Sequence, residues 1–320
     1  MKILVTGAAG FIGFHLSKSL LDDSFEVLGI DNINDYYDPN LKYARLEQLK
    51  PNKNFTFEKI DIADRESLTK AFIDFKPNKV VNLAAQAGVR YSIENPYAYM
   101  DANLVGFLNI IELCRHNNVE GLIYASSSSV YGGNTKIPFS VEDRVDKPIA
   151  LYGATKRANE LIAYSYSHLY GLHTTGLRYF TVYGPWGRPD MAMFIFTKKI
   201  MAGESILVFN NGYMKRDFTY IDDIITGTRS AIDNNYTCEV FNLGNHRSEQ
   251  LMDVVSLIEE NLGKKAEIDF QPMQPGDVPE SFANIDKSIV MLGYKPTTNV
   301  DAGIRKFIEW YINYNDQLPY

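Results

Sequence analysis

The first thirteen residues, MKILVTGAAGFIG, constrain this chain more than any other stretch. A short apolar run at Lys2–Thr6 meets glycines at positions 7, 10 and 13, and an amphipathic stretch comes directly after. This is the pattern of a strand turning directly into a helix. Gly7 allows the tight turn, Gly10 lets another group approach the backbone, and Gly13 lets the helix lie close to the sheet. The free N–H groups of the helix start, Phe11 and Ile12 among them, and its positive dipole then face outward, where they suit a pyrophosphate. Taken alone, such a turn also ends ordinary strands, so its meaning depends on the rest of the chain.

The next 170 or so residues alternate short apolar runs with amphipathic stretches. The pattern predicts strands at Lys2–Thr6, Glu26–Ile30, Thr56–Ile60, Lys79–Leu83, Leu122–Ser126 and His173–Arg178. It predicts helices starting near Gly10, Asn40, Asp64, Pro96 and Tyr152. Strand–helix alternation at this spacing implies an α/β fold, a Rossmann-type doubly wound parallel sheet with ligands at the carboxyl ends of its strands. After Arg178 the pattern changes. A Gly/Pro-rich loop at Tyr183–Asp190 leads into helices near Ala192–Ala202, Asp222–Asp233, Leu251–Leu262 and Val300–Tyr314, mixed with short strands. The expectation is a dinucleotide-binding domain over 1–180 and a smaller α/β substrate-binding lobe over 181–320, interleaved with the first.

The second strand ends at Asp31, where a carboxylate can accept hydrogen bonds from both adenosine ribose hydroxyls. The alternative is a turn-forming Asp in an acidic loop. Asn32 is next, and no Lys or Arg appears before Lys42. A ribose 2′-phosphate would meet repulsion and no nearby cation, so NAD is expected over NADP. Asp61 and Ile62, past the third strand, can reach an adenine edge, and Ala84-Ala85 after the fourth offers a floor of small residues.

Tyr152 and Lys156 form the only YxxxK in the chain. On a helix they share a face. A nearby ammonium favours phenolate, which fits Tyr152 to act as general base toward a sugar hydroxyl. Upstream, Ser126–Ser129 continue directly from an apolar strand. Four serines fill a core poorly but suit a hydroxyl-rich pocket at the strand's carboxyl end, although a plain Ser-rich turn has the same composition.

With these motifs in this order, the chain resembles the extended short-chain dehydrogenase/reductase family and, within it, the nucleotide-sugar 4-epimerases. The likeness covers nearly the whole length: TGAAGFIG, Asp31-Asn32, NLAAQAG at 82–88, YASSSSVYG, YGATK, LRYFTVYGP at 177–185 and KRDFTYIDD at 215–223. DNINDYYD at 31–38, AAQAGVRYS at 84–92, YFTVYGPWGRPDMA at 179–192 and MQPGDVPES at 273–281 resemble the UDP-glucuronate 4-epimerases in particular. The resemblance implies a tightly bound NAD across Gly7, Gly10, Gly13, Asp31 and Asn32, with Asp61 and Ile62 at the adenine. It implies that Ala84, Ala85 and Gln86 line the cofactor, with Asn103 near it. Lys156 would hold the nicotinamide ribose, and Tyr179 and Phe180 would lie beside the nicotinamide. It places the catalytic Ser/Thr at Ser127 and turns Ser128 and Ser129 to the sugar. UDP would lie under the C-terminal lobe, with Arg216 at the diphosphate and Asp277 near the uridine ribose.

Two departures from relatives carry information. Related dehydratases and decarboxylases have an acid before the VYG, whereas this chain has Ser128-Ser129, which favours plain epimerisation. Galactose-type 4-epimerases have Asn after the Tyr-Phe pair, whereas this chain has Thr181, whose hydroxyl and N–H could bind a sugar carboxylate. Arg90 and Arg188 are candidate charge partners for it. The rivals are a 4-epimerase of UDP-glucose or a UDP-N-acetylhexosamine, a UDP-glucuronate decarboxylase and, from another class, an NAD-sensing binding protein.

Bulk properties agree. A formal charge of −7 disfavours nucleic-acid and anionic-membrane partners. Two distant cysteines without a CxxC suggest a reducing compartment and no structural metal. The N-terminal apolar run is too short for a signal peptide or a membrane span, so a cytoplasmic enzyme is expected. A homodimer is expected by resemblance, through helices near 96–116 and 150–170.

Overall fold

A computed structural model describes residues 1–316. Its centre is a sheet of seven parallel strands. Six fall within a residue of the expected bounds: β1 (Lys2–Thr6), β2 (Glu26–Asp31), β3 (Phe55–Lys59), β4 (Lys79–Asn82), β5 (Gly121–Ser127) and β6 (Thr174–Tyr179). The seventh, Cys238–Leu243, comes from the stretch read as the small lobe, and it pairs with β6 from Cys238↔Thr174 to Leu243↔Tyr179. The order across the sheet is Cys238–Leu243, β6, β5, β4, β1, β2, β3. The chain therefore runs outward from β1 to one edge, returns to β4, and runs outward to the other. That reversal leaves a crevice at the carboxyl ends of β1 and β4.

Both faces of the sheet are covered, so its strands are near-continuous apolar runs. In β1, Ile3 and Val5 point into a core with helix Phe11–Asp22, and Leu4 points into a second core with helices Arg65–Phe75 and Phe107–His116. This is the two-residue alternation of an extended strand. Helix Ile221–Asn234 packs against Phe11–Asp22, so the sheet draws both a strand and a covering helix from beyond residue 180.

The remaining C-terminal residues form short strand pairs and helices. Thr181–Tyr183 pairs with Phe218–Tyr220, and Ile206–Phe209 pairs with Ile268–Gln271. Lys215–Arg216 lies between Glu249–Gln250 and Glu280–Ser281, which fixes Arg216 at the rim of the crevice. Helices Ala192–Ala202 and Leu251–Leu262 have the expected bounds, and Val300–Asp316 runs two residues past its expected end. The helix expected from Pro96 begins there but widens into a π-helical turn at Met100–Gly106. No helix among the described residues is long and apolar enough to cross a membrane.

Candidate active site

The crevice is a cleft of about 440 Å³ lined from the glycine turn, across the ends of β2, β4 and β5, to Arg216 and Asp277. Gly7 has φ +70°, and a Cβ there would lie 2.8 Å from the Ala84 nitrogen. A Cβ on Gly13 would strike the Gly7 carbonyl oxygen. The turn is therefore as tight as side-chain-free residues allow. Gly10 begins helix Phe11–Asp22 with no side-chain cap and no acid in the first turn. Phe11, Ile12 and Gly13 line the cleft. An uncapped helix start without carboxylates fits a dinucleotide's diphosphate.

Asp31, the last residue of β2, is buried and accepts from the Ile33 N–H at 2.8 Å. Here the structure corrects the sequence reading. Lys42, from helix Pro39–Leu49, returns to within 3.8 Å of the Asp31 carboxylate, so a cation is present after all. Lys42 is itself buried and donates to the Asn34 carbonyl and Oδ1 at 3.0 and 2.7 Å. Burial raises the Asp31 pKa, with the Lys42 charge opposing it, and burial lowers that of Lys42. A lack of cations near Asp31 is therefore no ground for expecting NAD over NADP. Next to it, Asn32 donates to Asp61 at 2.9 Å, which joins the ends of β2 and β3 where Ile62 also lines the cleft.

Ala84, Ala85 and Gln86 line the middle of the cleft. Asn103 does not. It is buried one layer back in the π-helical turn, accepting from the Gln86 N–H at 2.8 Å and donating to the Gln86 carbonyl and Thr155 Oγ1, each at 3.0 Å. Thr155 in turn donates to the Tyr152 carbonyl at 2.9 Å. Asn103 thus ties the cleft floor to the Tyr152 helix without reaching the cleft. The widened turn brings it to this depth, and such irregularities recur at functional sites.

Helix Leu151–Tyr170 carries Tyr152 and Lys156, and both line the cleft. No hydrogen bond joins the two side chains among the described residues. Lys156 Nζ donates to the Ala125 carbonyl at 2.9 Å, and its pKa is pushed down to about 8 by burial. Burial also raises the Tyr152 phenol, while the Ser127 hydroxyl and the Arg188 charge pull it down. The serines divide their work. Ser126 turns under the sheet to Glu160 at 2.6 Å, and Ser127 accepts from the Ser129 N–H at 3.1 Å. Ser128 lines the cleft beside them.

Several organising residues carry no local signal in the sequence. Glu160 receives two hydrogen bonds from Arg178, each 2.8 Å, and one from Arg157 at 2.9 Å. Arg178 also donates to Tyr131 Oη at 3.0 Å, and Tyr131 donates to Asn242 at 2.7 Å. This buried chain fixes the strand ends beneath the serine run. Glu160 sits among other polar residues of its helix and Arg178 in a fully buried strand, so only their three-dimensional pairing shows the role.

On the far wall, Arg188 lines the cleft but is already held by Asp190 through two hydrogen bonds. Asp190 also accepts from Tyr36 at 3.0 Å. Thr181 lines the cleft, but its N–H is spent on the Asp217 carbonyl at 3.1 Å, which leaves only its hydroxyl. Tyr179 turns its hydroxyl to Thr228 at 3.0 Å, and Phe180 lines the wall. Arg90 does not line the cleft. It is exposed and lies over the Phe209 ring at 4.8 Å, away from the serine run, because the loop after β4 leans onto the lobe strand there. Arg216 and Asp277 line the cleft together but are bonded to each other at 2.6 Å, so Asp277 is first a partner for Arg216.

This arrangement defines a class. The chain belongs to the NAD dependent epimerase/dehydratase family, which it matches over residues 3–244, and its cofactor is accordingly NAD. It is 51% identical to Protein CapI of Staphylococcus aureus, over 98% of this chain and 99% of that protein. It is 49% identical to UDP-glucuronate 4-epimerase 4 of Arabidopsis thaliana, over 98% of this chain and 76% of that protein. Among solved structures, it superposes with a TM-score of 0.93 on UDP-glucuronic acid 4-epimerase from Bacillus cereus in complex with UDP-glucuronic acid and NAD. The identity is 35%, over 98% of this chain and 100% of that one.

Proposed function

We propose that the chain is a UDP-glucuronate 4-epimerase, which interconverts UDP-glucuronate and UDP-galacturonate through a transient 4-keto sugar. The observation that carries this reading is Tyr152 beside Ser127 at the end of a dinucleotide cleft whose serine run holds no acid. Relatives of that activity, at 49% and 35% identity, support the choice of sugar.

NAD, when bound, accepts the C4 hydride and returns it, and its nicotinamide brings the positive charge that favours the Tyr152 phenolate. Tyr152 takes the proton of the C4 hydroxyl as the ketone forms and gives it back to O4 on reduction. Ser127 holds that oxygen. Lys156, released from the Ala125 carbonyl, is placed to hold the nicotinamide ribose. After the ketone turns in the cleft, return of the hydride to its other face gives the epimer. Arg216 supplies the charge for the UDP diphosphate, with Asp277 adjusting toward the uridine ribose. Burial lowers the Arg216 pKa, Asp277 opposes that, and Arg90 adds a smaller repulsion, which puts Arg90 nearer the Arg216 end of the cleft than the serine run. The hydroxyls of Ser128, Ser129 and Thr181 line the wall where the sugar carboxylate would lie, and Arg188 is the cation on that wall, shared with Asp190.

A homodimer also belongs to this reading. Tyr97, Val105 and Leu108 near one helix, and Leu161, Tyr164 and Leu169 on the next, expose large apolar side chains on the helices expected to pair. Such a patch suits a partner surface. Two free cysteines support a reducing, cytoplasmic setting.

The test is an NMR time course with purified protein, UDP-glucuronate and no added NAD. UDP-galacturonate should accumulate to equilibrium. Release of carbon dioxide, or turnover of UDP-glucose alone, would replace this reading with one of its rivals. Tight NAD binding without turnover of any UDP-sugar would favour a sensor.

A further inference from the structure

Arg45, in helix Pro39–Leu49, has no solvent exposure at all and makes no ion pair among the described residues. Its donors go instead to neutral oxygens. Nη1 donates to the Ala9 carbonyl and Tyr37 Oη, each at 2.8 Å. Nε and Nη2 donate to the Trp186 carbonyl at 3.1 and 2.7 Å, and Nη2 also reaches the Gly187 carbonyl at 3.2 Å. Ala9 lies inside the glycine turn. Trp186 lies in the loop that carries Arg188 into the cleft.

That loop is held in a shape that needs holding. Trp186 has φ +62°, a region that bulky residues avoid. Beyond Arg45, His15 at Nε2 meets the Pro185 carbonyl at 2.9 Å, and burial pushes its pKa down to about 4, so it adds no charge there. Phe14 meets the Trp186 ring edge-on at 5.6 Å. Arg45 is thus the one charged link in this contact, and its full positive charge sits under the turn that faces the diphosphate. Its charge also acts on the buried Asp31 carboxylate, after burial and the Lys42 charge, so what Arg45 contributes is the bonded link between turn and loop.

We propose that Arg45 is a positioning residue that sets how long NAD stays bound, by clamping the glycine turn to the Trp186–Gly187 loop. The proposal rests on the reading of NAD as a cofactor that stays through turnover. The test compares wild type with R45K. Bound NAD is measured after purification, and its exchange is tracked with isotopically labelled NAD. The melting-temperature gain on adding NAD is recorded too. R45K should exchange NAD about tenfold faster or more, since one lost charge-assisted contact is of that order. Its NAD-induced gain in melting temperature should shrink, and its turnover should recover with excess NAD.

F14L serves as the control, because it loosens the same loop packing while leaving the guanidinium's bonds to turn and loop in place. It should lower the melting temperature while leaving exchange near the wild-type rate. Exchange in R45K at the wild-type rate overturns the proposal, as does an equal acceleration in F14L. If R45K does not fold, Y37F removes one acceptor from the same guanidinium. It should exchange NAD a few times faster, and an unchanged rate refutes the clamp. A wild-type protein that purifies without NAD would instead sink the reading of a resident cofactor.

Discussion

Lys156 gives the sharpest prediction, because its cost to the fold can be separated from its use. It is 2% exposed, its only hydrogen-bond partner among the described residues is the Ala125 carbonyl, and its pKa falls from 10.5 to about 8. The folded-state pKa lies below the unfolded one. Between the two, the unfolded chain binds more protons, so stability rises with pH across that window. Keeping Lys156 charged at pH 7 in the cofactor-free protein costs about 3 kcal/mol, falling to about 1 kcal/mol near pH 9.5. K156M has no such term. It does leave the Ala125 carbonyl unpaired, a loss of ~1–3 kcal/mol that does not vary with pH. At pH 7 the NAD-free variant should therefore be as stable as wild type or up to ~2 kcal/mol more so. Between pH 7 and about pH 9.5 the difference should move by about 2 kcal/mol in favour of wild type. Urea unfolding of both NAD-free proteins at the two pH values measures this. A difference that stays flat with pH would refute the reasoning, because it would show that Lys156 is not held charged against its environment. The same variant should lose most of its turnover.

Three further outcomes rest on the geometry. Y152F should lower kcat by ~10²–10⁴-fold, the usual worth of a positioned general acid or base, while keeping its NAD; a wild-type rate would remove Tyr152 from the mechanism. D31N should weaken NAD and admit NADP, because Lys42 at 3.8 Å is then free for a 2′-phosphate; thermal shifts with both cofactors report it, and no gain with NADP would refute it. E160Q should lose ~3–5 kcal/mol in urea unfolding, since it strands the buried Arg178; a loss under about 1 kcal/mol would show that the network beneath the serine run is slack.

The sheet is legible in the sequence because its signals are local. Each of β1 to β6 is a short apolar run ended by a turn, and the glycines at 7, 10 and 13 mark a strand-to-helix junction that few other folds need. Cys238–Leu243 escapes because CEVFNL has the same local character as a lobe strand, and its place beside β6 depends on a crossover that the sequence does not encode nearby. The site divides in the same way. Asp31, Tyr152 and Ser127 are legible from position on an element. Lys42 is hidden because distance along the chain conceals a helix that folds back onto Asp31. Arg90 and Arg188 are both candidates by sequence, Arg188 the stronger, and their partners, Phe209 and Asp190, separate an exposed stack from a cleft-lining ion pair.

Those partners also bear on why one ligand would stay while the other leaves. At the proposed substrate end, Arg216 is matched by Asp277, so on that reading an incoming diphosphate would share or displace a carboxylate that the protein already supplies. That competition limits affinity and suits a ligand exchanged at every turnover. At the cofactor end the matching is incomplete. Lys42 is met by Asp31, whereas Lys156 has only a neutral carbonyl as hydrogen-bond partner among the described residues. A buried ammonium without a counter-ion costs stability, and a bound dinucleotide carrying phosphates would offset part of that cost. The proteins with and without cofactor should therefore differ in stability by more than contact area alone would give. The unfolding difference for K156M, measured with and without NAD, tests this directly. The variant should gain less from NAD than wild type does, and an equal gain would mean that Lys156 contributes nothing to retention.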